Sequence, residues 1–281
     1  MKTLTPAGVQ DLTPEETKKL QNLLRKTAKI AEKSHYLKVR TPIIEYEDTL
    51  LPGLDPDLKA KTIRFLDNKG QTLLLRPDNT APIARLVATQ LKDHPKPLRL
   101  YYQHPVFQAS NVDSHRDIEI FQTGVEHIGQ EGPEADAEVI MILIEMCLSM
   151  GLKDVGVDIG HTQFLKGLSK EKKDALLKGD YIRFGKIPER GGPESIQNHP
   201  DLIAVYNIIK KNKLHAHVHF NKGLVKELSY YTGIIFEAYF PGCGQSIASG
   251  GRYDDLIEKF GYKAPAVGFA INMNMIQGIR V

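Results

Sequence analysis

The segment that most constrains this chain is PEADAEVIMILIEMCLSM, residues 133–150. Pro133 followed by two acidic residues is typical of a helix N-terminus, and Gly151 is the residue type that most often follows a helix end. Apolar residues occupy nearly every side of this predicted helix rather than one stripe, which indicates burial on most of its surface. The rest of the sequence must therefore supply the elements that cover it.

Most of the remaining regular segments are predicted as strands that meet in antiparallel pairs. Residues 62–78 read as a hairpin that turns at Asn68-Lys69-Gly70, because Asn and Gly tolerate positive φ. Residues 99–110 and 117–129 form a second predicted pair around the polar loop NVDSH, and a third hairpin turns at Pro241-Gly242. Strands at the centre with helices packed on one face predict an α+β fold.

The N-terminal part predicts a helix followed by a strand at an edge. Thr13, Pro14 and Glu16 have the spacing of a capping box with proline at the first helical position, and apolar residues then recur at helical spacing. The next apolar run, residues 39–51, passes through Pro42, and proline lacks the N–H that a central strand needs. We therefore expect this run at a sheet edge or a subunit interface.

The composition is that of an ordinary globular protein, with 41% hydrophobic and 25% charged residues. We expect one domain spanning residues 1–281, with a small insertion at about 165–220 where the pattern is least regular. The net charge of +3 is too small to indicate a nucleic-acid or membrane surface. Two cysteines are too few for a disulfide framework, and neither a signal peptide nor a long apolar run occurs, so a cytoplasmic location is expected.

Three patterns that resemble known kinds of site carry little weight here. His215, His217 and His219 alternate in HAHVH, so on a strand their imidazoles would share one face with chelating spacing. A half-exposed strand face explains the same pattern, so we predict no metal site. The lysines at 166, 170, 172, 173 and 178 are interpreted as a solvated helix face rather than a tRNA-binding track. Residues 242–251 have neither Walker nor dinucleotide spacing, and no cofactor is predicted.

A more informative set of polar residues lies on predicted strands or at their ends. Carboxylate and hydroxyl oxygens accept hydrogen bonds from an ammonium group, while a second carboxylate and a phenol can hold a ring N–H. A cleft that combined these groups would suit a small cationic zwitterion, although each residue alone is more readily explained as a cap or a core-edge residue. The set comprises Asp78, Thr80, Gln122, Glu126, Tyr231 and Tyr253.

Taken together, these segments resemble the catalytic core of histidyl-tRNA synthetase, a class II aminoacyl-tRNA synthetase. TPIIEYED is similar to the first class motif, residues 99–129 to the second, and APAVGFAINMNMI to the third. LRPDNTA, YYTG and GGRYDDL are similar to the segments that bind histidine in that enzyme. The resemblance implies the antiparallel six-stranded sheet of class II synthetases, flanked by helices, and a dimer formed partly through the first motif.

Three arginine positions of the synthetase depart from the family pattern. Gln108 stands where the second motif has an arginine at the α-phosphate of ATP, and Met275 where the third has one at the γ-phosphate. Lys226 stands at the position of a further catalytic arginine. Because each hydrogen bond to a charged group contributes roughly 1.5–3 kcal/mol, we expect adenylation to be strongly impaired. The chain also ends just after the third motif, so no anticodon-binding domain and no tRNA partner are expected.

This combination resembles the regulatory subunits of ATP phosphoribosyltransferase, which partner a short catalytic subunit in histidine biosynthesis. The resemblance implies a non-catalytic subunit that activates its partner and mediates feedback inhibition by histidine. It also implies a histidine site in which Glu126 and Tyr231 hold the imidazole, and Asp78 and Thr80 hold the ammonium group. Gln108 or Lys226 would meet the carboxylate. Gln122 and Tyr253 would complete the site. The alternative is a truncated synthetase-like enzyme that activates an amino acid for an acceptor other than tRNA.

Overall fold

The computed structural model describes residues 4–109, 117–225 and 230–279. The loop predicted at 111–115 lies outside these ranges. The strands are β1 Leu37–Lys38, β2 Ile44–Tyr46, β3 Ile63–Leu66, β4 Thr72–Leu75, β5 Leu98–Phe107, β6 Glu119–Ile128, β7 Gly156–His161, β8 Arg190–Gly191, β9 Val218–Asn221, β10 Ile234–Tyr239, β11 Ala248–Arg252 and β12 Ala266–Asn272. The helices are α1 Pro14–Lys33, α2 Glu47–Leu50, α3 Pro56–Ala60, α4 Thr80–Leu86, α5 Pro133–Met150, α6 Lys170–Leu177, α7 Tyr181–Phe184, α8 Pro200–Lys211 and α9 Met273–Gly278.

A large sheet with the order β1-β5-β6-β12-β11-β10-β7-β9-β8 forms the centre of the described chain. Its six inner strands, from β5 to β7 in that order, are joined throughout by antiparallel pairs. Parallel pairs add β1 at one side and β9 at the other. The predicted α+β class and the antiparallel six-stranded sheet are therefore confirmed.

The main core lies between one face of this sheet and the helices α1, α5 and α8. The predicted helix at 133–150 is present with those bounds, and Gly151 follows it in the left-handed conformation. The predicted capping box of α1 is also present, with Thr13 and Glu16 bonded to each other's backbone N–H. Burial of α5 on most sides, as its sequence predicts, places the sheet and two helices around it.

The opposite face of the sheet carries a second core and the polar residues of interest. Side chains alternate along β5, so Tyr101 joins the main core whereas Leu100 and Tyr102 join the second. The helix α4 packs on this second face with the 3-10 turn Ile257–Phe260. We expected helices on one face only; the structure instead has α4 and this short 3-10 turn on the second face as well.

Residues 165–220 divide into two parts in the structure. The first part, with α6 and α7, has a small core of its own formed by Ala175, Leu176 and Phe184. The second part joins the main body, because α8 packs on α5 and β9 pairs with β7 in parallel. The extent of an insertion here stays a prediction.

The predicted strand through HAHVH is wrong for its first half. His215 and His217 lie in a 3-10 turn, and strand β9 begins only at Val218. The chain needs these residues to reverse direction after α8, where Lys213 adopts a positive φ of 62°. The three imidazoles therefore do not share a strand face. No group of residues able to hold a metal ion occurs among the described residues.

A smaller sheet has the order β2-β4-β3, and its Leu74 packs in a separate small cluster with Leu50, Leu54, Leu58 and Ala81. The predicted hairpin at 62–78 is confirmed by the β3–β4 pair, with Gly70 at a φ of 78°. The strand predicted through Pro42 is shorter than expected, because regular pairing begins at Ile44. Strand β2 is an edge, and Ile44 and Tyr46 are about half exposed. In the described part of the chain, no helix is both long and apolar enough to cross a membrane.

Candidate functional site

A cavity of about 730 Å³ opens on the second face of the large sheet. Its floor is formed by β6, β10, β11 and β12, and part of its wall by the start of α4 and by the segment around α6 and α7. Six of the predicted site residues line it, namely Asp78, Thr80, Gln108, Gln122, Tyr231 and Tyr253. Glu126 lies behind Thr80 and Tyr253, to which it is bonded. Lys226 lies outside the described residues.

The period of two along β6 explains why this strand supplies two of these side chains. Gln122, Gly124 and Glu126 share one face of the strand, while Thr123 and Val125 face α1 and the main core. Gly124 is required between the two polar residues, because a Cβ there would meet the Tyr102 hydroxyl at 2.5 Å. The alternation GlnxGlyxGlu therefore presents an amide and a carboxyl to the cavity side.

Glu126 is almost completely buried and has no cationic partner among the contacts of the described residues. The Thr80 hydroxyl donates to its Oε1 at 3.0 Å, and the Tyr253 hydroxyl donates to its Oε2. Burial raises the pKa of Glu126 to about 8, although these two hydrogen bonds lower it in part. Near neutral pH the group is therefore largely protonated. Gly268 makes room for it, because a Cβ at that position would overlap Oε2.

Asp78 directly precedes Asn79 and the start of α4, and it is one of the residues that line the cavity. Oδ1 accepts from the backbone N–H of Ala81 at 3.2 Å, whereas Oδ2 is buried without a hydrogen-bond partner. Burial raises the pKa of Asp78 to about 7, although the hydrogen bond from the Ala81 N–H and the charge of Arg76 lower it in part. A buried acceptor left without a donor is unfavourable, so this oxygen is suited to a ligand that brings one.

Asn79 was missed by the sequence analysis, although its side chain connects two strands to the cavity. Its Nδ2 donates to Gln122 Oε1 at 3.0 Å and to the backbone oxygen of His104 at 3.5 Å. Its Oδ1 is buried without a partner, as Oδ2 of Asp78 is. An Asn before a helix is normally a cap, which is why the sequence alone did not identify it.

Three tyrosines form the aromatic side of the site. Tyr230 lies between the other two, with ring centroids 5.0 Å from Tyr231 and 5.9 Å from Tyr253. Burial raises the pKa of each phenol above its ordinary value, so all three remain donors at physiological pH. Gly251 is required beside them, because a Cβ there would come within 2.7 Å of the Tyr231 ring.

Comparison with known proteins shows what this combination of sheet and cavity is similar to. A family model described as Histidyl-tRNA synthetase matches residues 8–179 and 190–276. The ATP phosphoribosyltransferase regulatory subunit of Desulforamulus reducens is 35% identical over 96% of this chain and 77% of its own length. That of Geobacter sulfurreducens is 32% identical over 95% of this chain and 71% of its own length. The chain belongs to the family of ATP phosphoribosyltransferase regulatory subunits.

Solved structures agree with this membership. An ATP phosphoribosyltransferase regulatory subunit/histidyl-tRNA synthetase from Bacillus halodurans has a TM-score of 0.89 and 30% identity, covering 99% of this chain and 83% of that one. The histidyl-tRNA synthetase of S. aureus has a TM-score of 0.73 at 24% identity, covering 99% of this chain and 72% of that one, and shows the shared fold.

The structure also locates two of the residues that are predicted to stand at arginine positions of the synthetase. Gln108 lines the cavity, and its Nε2 donates to the backbone oxygen of Pro77 at 2.9 Å. Met275 packs against the main core from α9. Lys61 and Lys178 are the basic side chains among the described lining residues, and no arginine is among them. Those residues therefore present no guanidinium fork for a phosphate group.

The cavity extends well beyond the predicted residues. Its far end is lined by Glu237, Tyr239 and Ser246, and the Ser246 hydroxyl donates to Glu237 Oε1 at 3.0 Å. None of these three residues is among those predicted for the site. The signal that could have found this end of the cavity is the period of two along β10, which puts Glu237 and Tyr239 on one face while Phe236 and Ala238 join the main core.

Proposed function

We propose that this protein is a non-catalytic regulatory subunit that binds L-histidine in the cavity. The observation that carries the proposal is the pair of buried carboxyl groups, Asp78 and Glu126, near which the described residues place hydroxyls and an amide. The ammonium of histidine would meet Asp78 and Thr80, and Tyr231 and Glu126 would hold the imidazole. Family membership supports the choice of histidine over other cationic zwitterions.

Glu126 serves such a ligand in the protonated or the ionised form. A protonated carboxyl donates to an imidazole nitrogen and an ionised one accepts from a ring N–H. Both of its oxygens accept hydrogen bonds in the ligand-free protein. Because Glu126 is almost completely buried behind Thr80 and Tyr253, binding through it requires one of those two side chains to move.

The partner in this proposal is the short catalytic subunit of ATP phosphoribosyltransferase, since the relatives are named as regulatory subunits of that enzyme. The protein would activate that subunit, and histidine would shift the assembly toward an inhibited state. Such coupling requires histidine to bind the two states with different affinity. The protein would act in the cytoplasm, without tRNA and as one synthetase-like domain with an insertion near 165–220.

Self-association as a dimer is part of the same proposal. Several apolar side chains of the first-motif region and the neighbouring hairpin are exposed in the single chain, and a second copy that covered them would bury this apolar surface. These residues are Ile43, Ile44, Tyr46, Phe65 and Leu66.

The deciding experiment measures phosphoribosyl transfer by a short catalytic subunit alone, with this protein, and with this protein plus histidine. We expect activation that histidine then suppresses. An Asp78→Ala variant should still activate but should lose the response to histidine, because the ammonium acceptor is gone.

An unchanged rate in all three mixtures would contradict the regulatory function. Pyrophosphate exchange with histidine and ATP would then test the alternative of a truncated amino-acid-activating enzyme.

A further inference from the structure

Asn79 occupies the N-cap position of α4 but does not cap the helix. Its side chain makes no hydrogen bond to the first turn, and the N–H of Ala81 is instead satisfied by Asp78 Oδ1 at 3.2 Å. An Asn side chain at this position ordinarily accepts from the N–H groups of the first turn. Asn79 is 1% exposed and lines the cavity, so its amide is buried for a purpose other than capping.

The orientation of the Asn79 amide is determined by a backbone carbonyl. Nδ2 is the atom that faces the His104 oxygen at 3.5 Å, and a carbonyl oxygen can only accept. The same Nδ2 lies 3.0 Å from the side-chain oxygen of Gln122. His104 and Gln122 are direct partners in the β5–β6 pair, so one amide group spans both strands.

This arrangement determines which end of the Gln122 amide is available to a ligand. Its Oε1 accepts from Asn79, so its Nε2, with two N–H groups, is the end left to the cavity that Gln122 lines. Gln108, the residue that replaces the synthetase arginine, has one N–H of its amide committed to Pro77. Of the two amides, Gln122 is thus the better placed to donate.

We propose that Asn79 is a positioning residue that holds Gln122 with its N–H groups toward the carboxylate of the bound ligand. The inference rests on the proposed function, since it concerns how the histidine site distinguishes an amino acid from the corresponding amine. Asn79 acts through Gln122 and sets specificity for a carboxylate in a cavity whose described residues offer no arginine.

The test compares binding of L-histidine and of histamine, which lacks the carboxylate, by titration calorimetry. The variants are Asn79→Ala, Gln122→Ala, the double variant and Gln122→Glu, with Asn212→Ala as a matched control at a distant helix end. The readout is the ratio of the two affinities, because any loss common to both ligands cancels in it. Thermal unfolding verifies that each variant is folded.

We expect the histidine-to-histamine ratio to fall about tenfold in Asn79→Ala and about ten- to a hundredfold in Gln122→Glu. The glutamate still accepts from Asn79 but presents an oxygen where the N–H groups were. In the Gln122→Ala background, Asn79→Ala should leave the ratio unchanged. The control should match the original protein.

Equal losses for the two ligands in Asn79→Ala, or an unchanged ratio, would overturn the positioning role while leaving histidine binding intact. If Asn79→Ala does not fold, Gln122→Glu decides, because it retains Asn79; an unchanged ratio there overturns the inference. An original protein that binds neither ligand would instead refute the proposed function, and the inference with it.

Discussion

Two buried sets of charged groups in this molecule are built in opposite ways. Arg252 donates to Asp136 from two nitrogens, at 2.7 and 2.9 Å, and also to Asp254 and two backbone oxygens. Asp78 and Glu126 are buried without such a cation, and one oxygen of Asp78 has no partner. The two sets are joined in sequence, because Arg252 is followed directly by Tyr253, which bonds Glu126.

The difference separates a structural site from a binding site. A buried charge needs a partner of opposite sign, and the folded chain supplies one for Asp136. Where the chain supplies no such partner, the buried carboxyl is protonated or binds a cation of a ligand. Asp78 and Glu126 form an incomplete set of this kind, because no cation of the described chain pairs with them. This incomplete set is suited to an ammonium ligand. Perturbed carboxyls in a cavity are a general mark of functional sites.

Breaking the complete set, which is Arg252 with Asp136 and Asp254, should have the largest effect on the free energy of unfolding. Arg252→Ala leaves Asp136 buried without its cation, so we expect the free energy of unfolding to fall by about 3–5 kcal/mol. Urea unfolding at pH 7 measures this. Replacing both partners, as Arg252→Met with Asp136→Leu, should cost less than the single change, because no uncompensated charge remains.

The control for this prediction is an exposed ion pair. Arg183 lies 3.1 Å from Glu171, and their side chains are 51% and 67% exposed. Arg183→Ala should cost less than about 1 kcal/mol, because solvent screens the pair. Equal losses in Arg252→Ala and Arg183→Ala would remove the distinction between the two kinds of charge.

Replacing Glu126 of the incomplete set should have the opposite effect and raise the free energy of unfolding. The pKa of Glu126 is about 8 in the folded protein, above its value in an unfolded chain. Between pH 5 and 8 the folded state keeps a proton that the unfolded state has released, so the free energy of unfolding falls as pH rises. Glu126→Gln removes this penalty, and the variant should gain about 3–4 kcal/mol relative to the original between pH 5 and pH 8.5.

Glu138 provides a control of opposite direction. Burial alone would raise its pKa, but hydrogen bonds from Arg99 and His127 lower it to about 2. Its ionised form therefore stabilises the folded protein above the unfolded pKa, and this stability is lost as pH falls toward 2. Glu138→Gln should be destabilised at pH 7, where Glu126→Gln is stabilised. Urea unfolding across pH detects both, and a loss of stability in Glu126→Gln at pH 8.5 would contradict the comparison.

The sheet and much of the cavity could be predicted because they follow from short-range patterns. Alternation along residues 117–129 and the caps of α1 and α5 are local features, and the structure retains them. The resemblance contributed the order of the motifs, which periodicity cannot supply. Six residues predicted for the site then line one cavity, although their roles toward a ligand remain predictions.

The features that were predicted wrongly or not at all depend on contacts between residues that are distant in sequence. Asn79 looks like a helix cap in sequence, and only its closeness to His104 and Gln122, 25 and 43 residues away, reveals another role. HAHVH has the alternation of a strand, but the end of α8 requires a turn at His215–His217 before pairing with β7 can begin. In both places tertiary contacts override a plausible local reading.

The smallest effect should be a change in protonation when the ligand fills the incomplete set. The pKa of Asp78 is about 7 in the ligand-free protein because burial disfavours its charge. An ammonium beside Oδ2 would favour the charged form, so histidine binding at pH 6.5 should release on the order of one proton. Calorimetry in buffers of different ionisation enthalpy measures the number released.

The same linkage makes affinity depend on pH. Protonated Asp78 must lose its proton before it pairs with the ammonium, so histidine affinity should rise about tenfold from pH 6 to pH 8. The imidazole of histidine and the carboxyl of Glu126 also titrate in this range. Asp78→Asn isolates the contribution of Asp78, because the variant keeps the shape of the side chain but has no proton to release there. Binding with the same proton release in Asp78→Asn would place the ammonium elsewhere. The buried carboxyl would then be a feature of the fold, like Asp136, and the contrast between the two sets would lose its functional meaning.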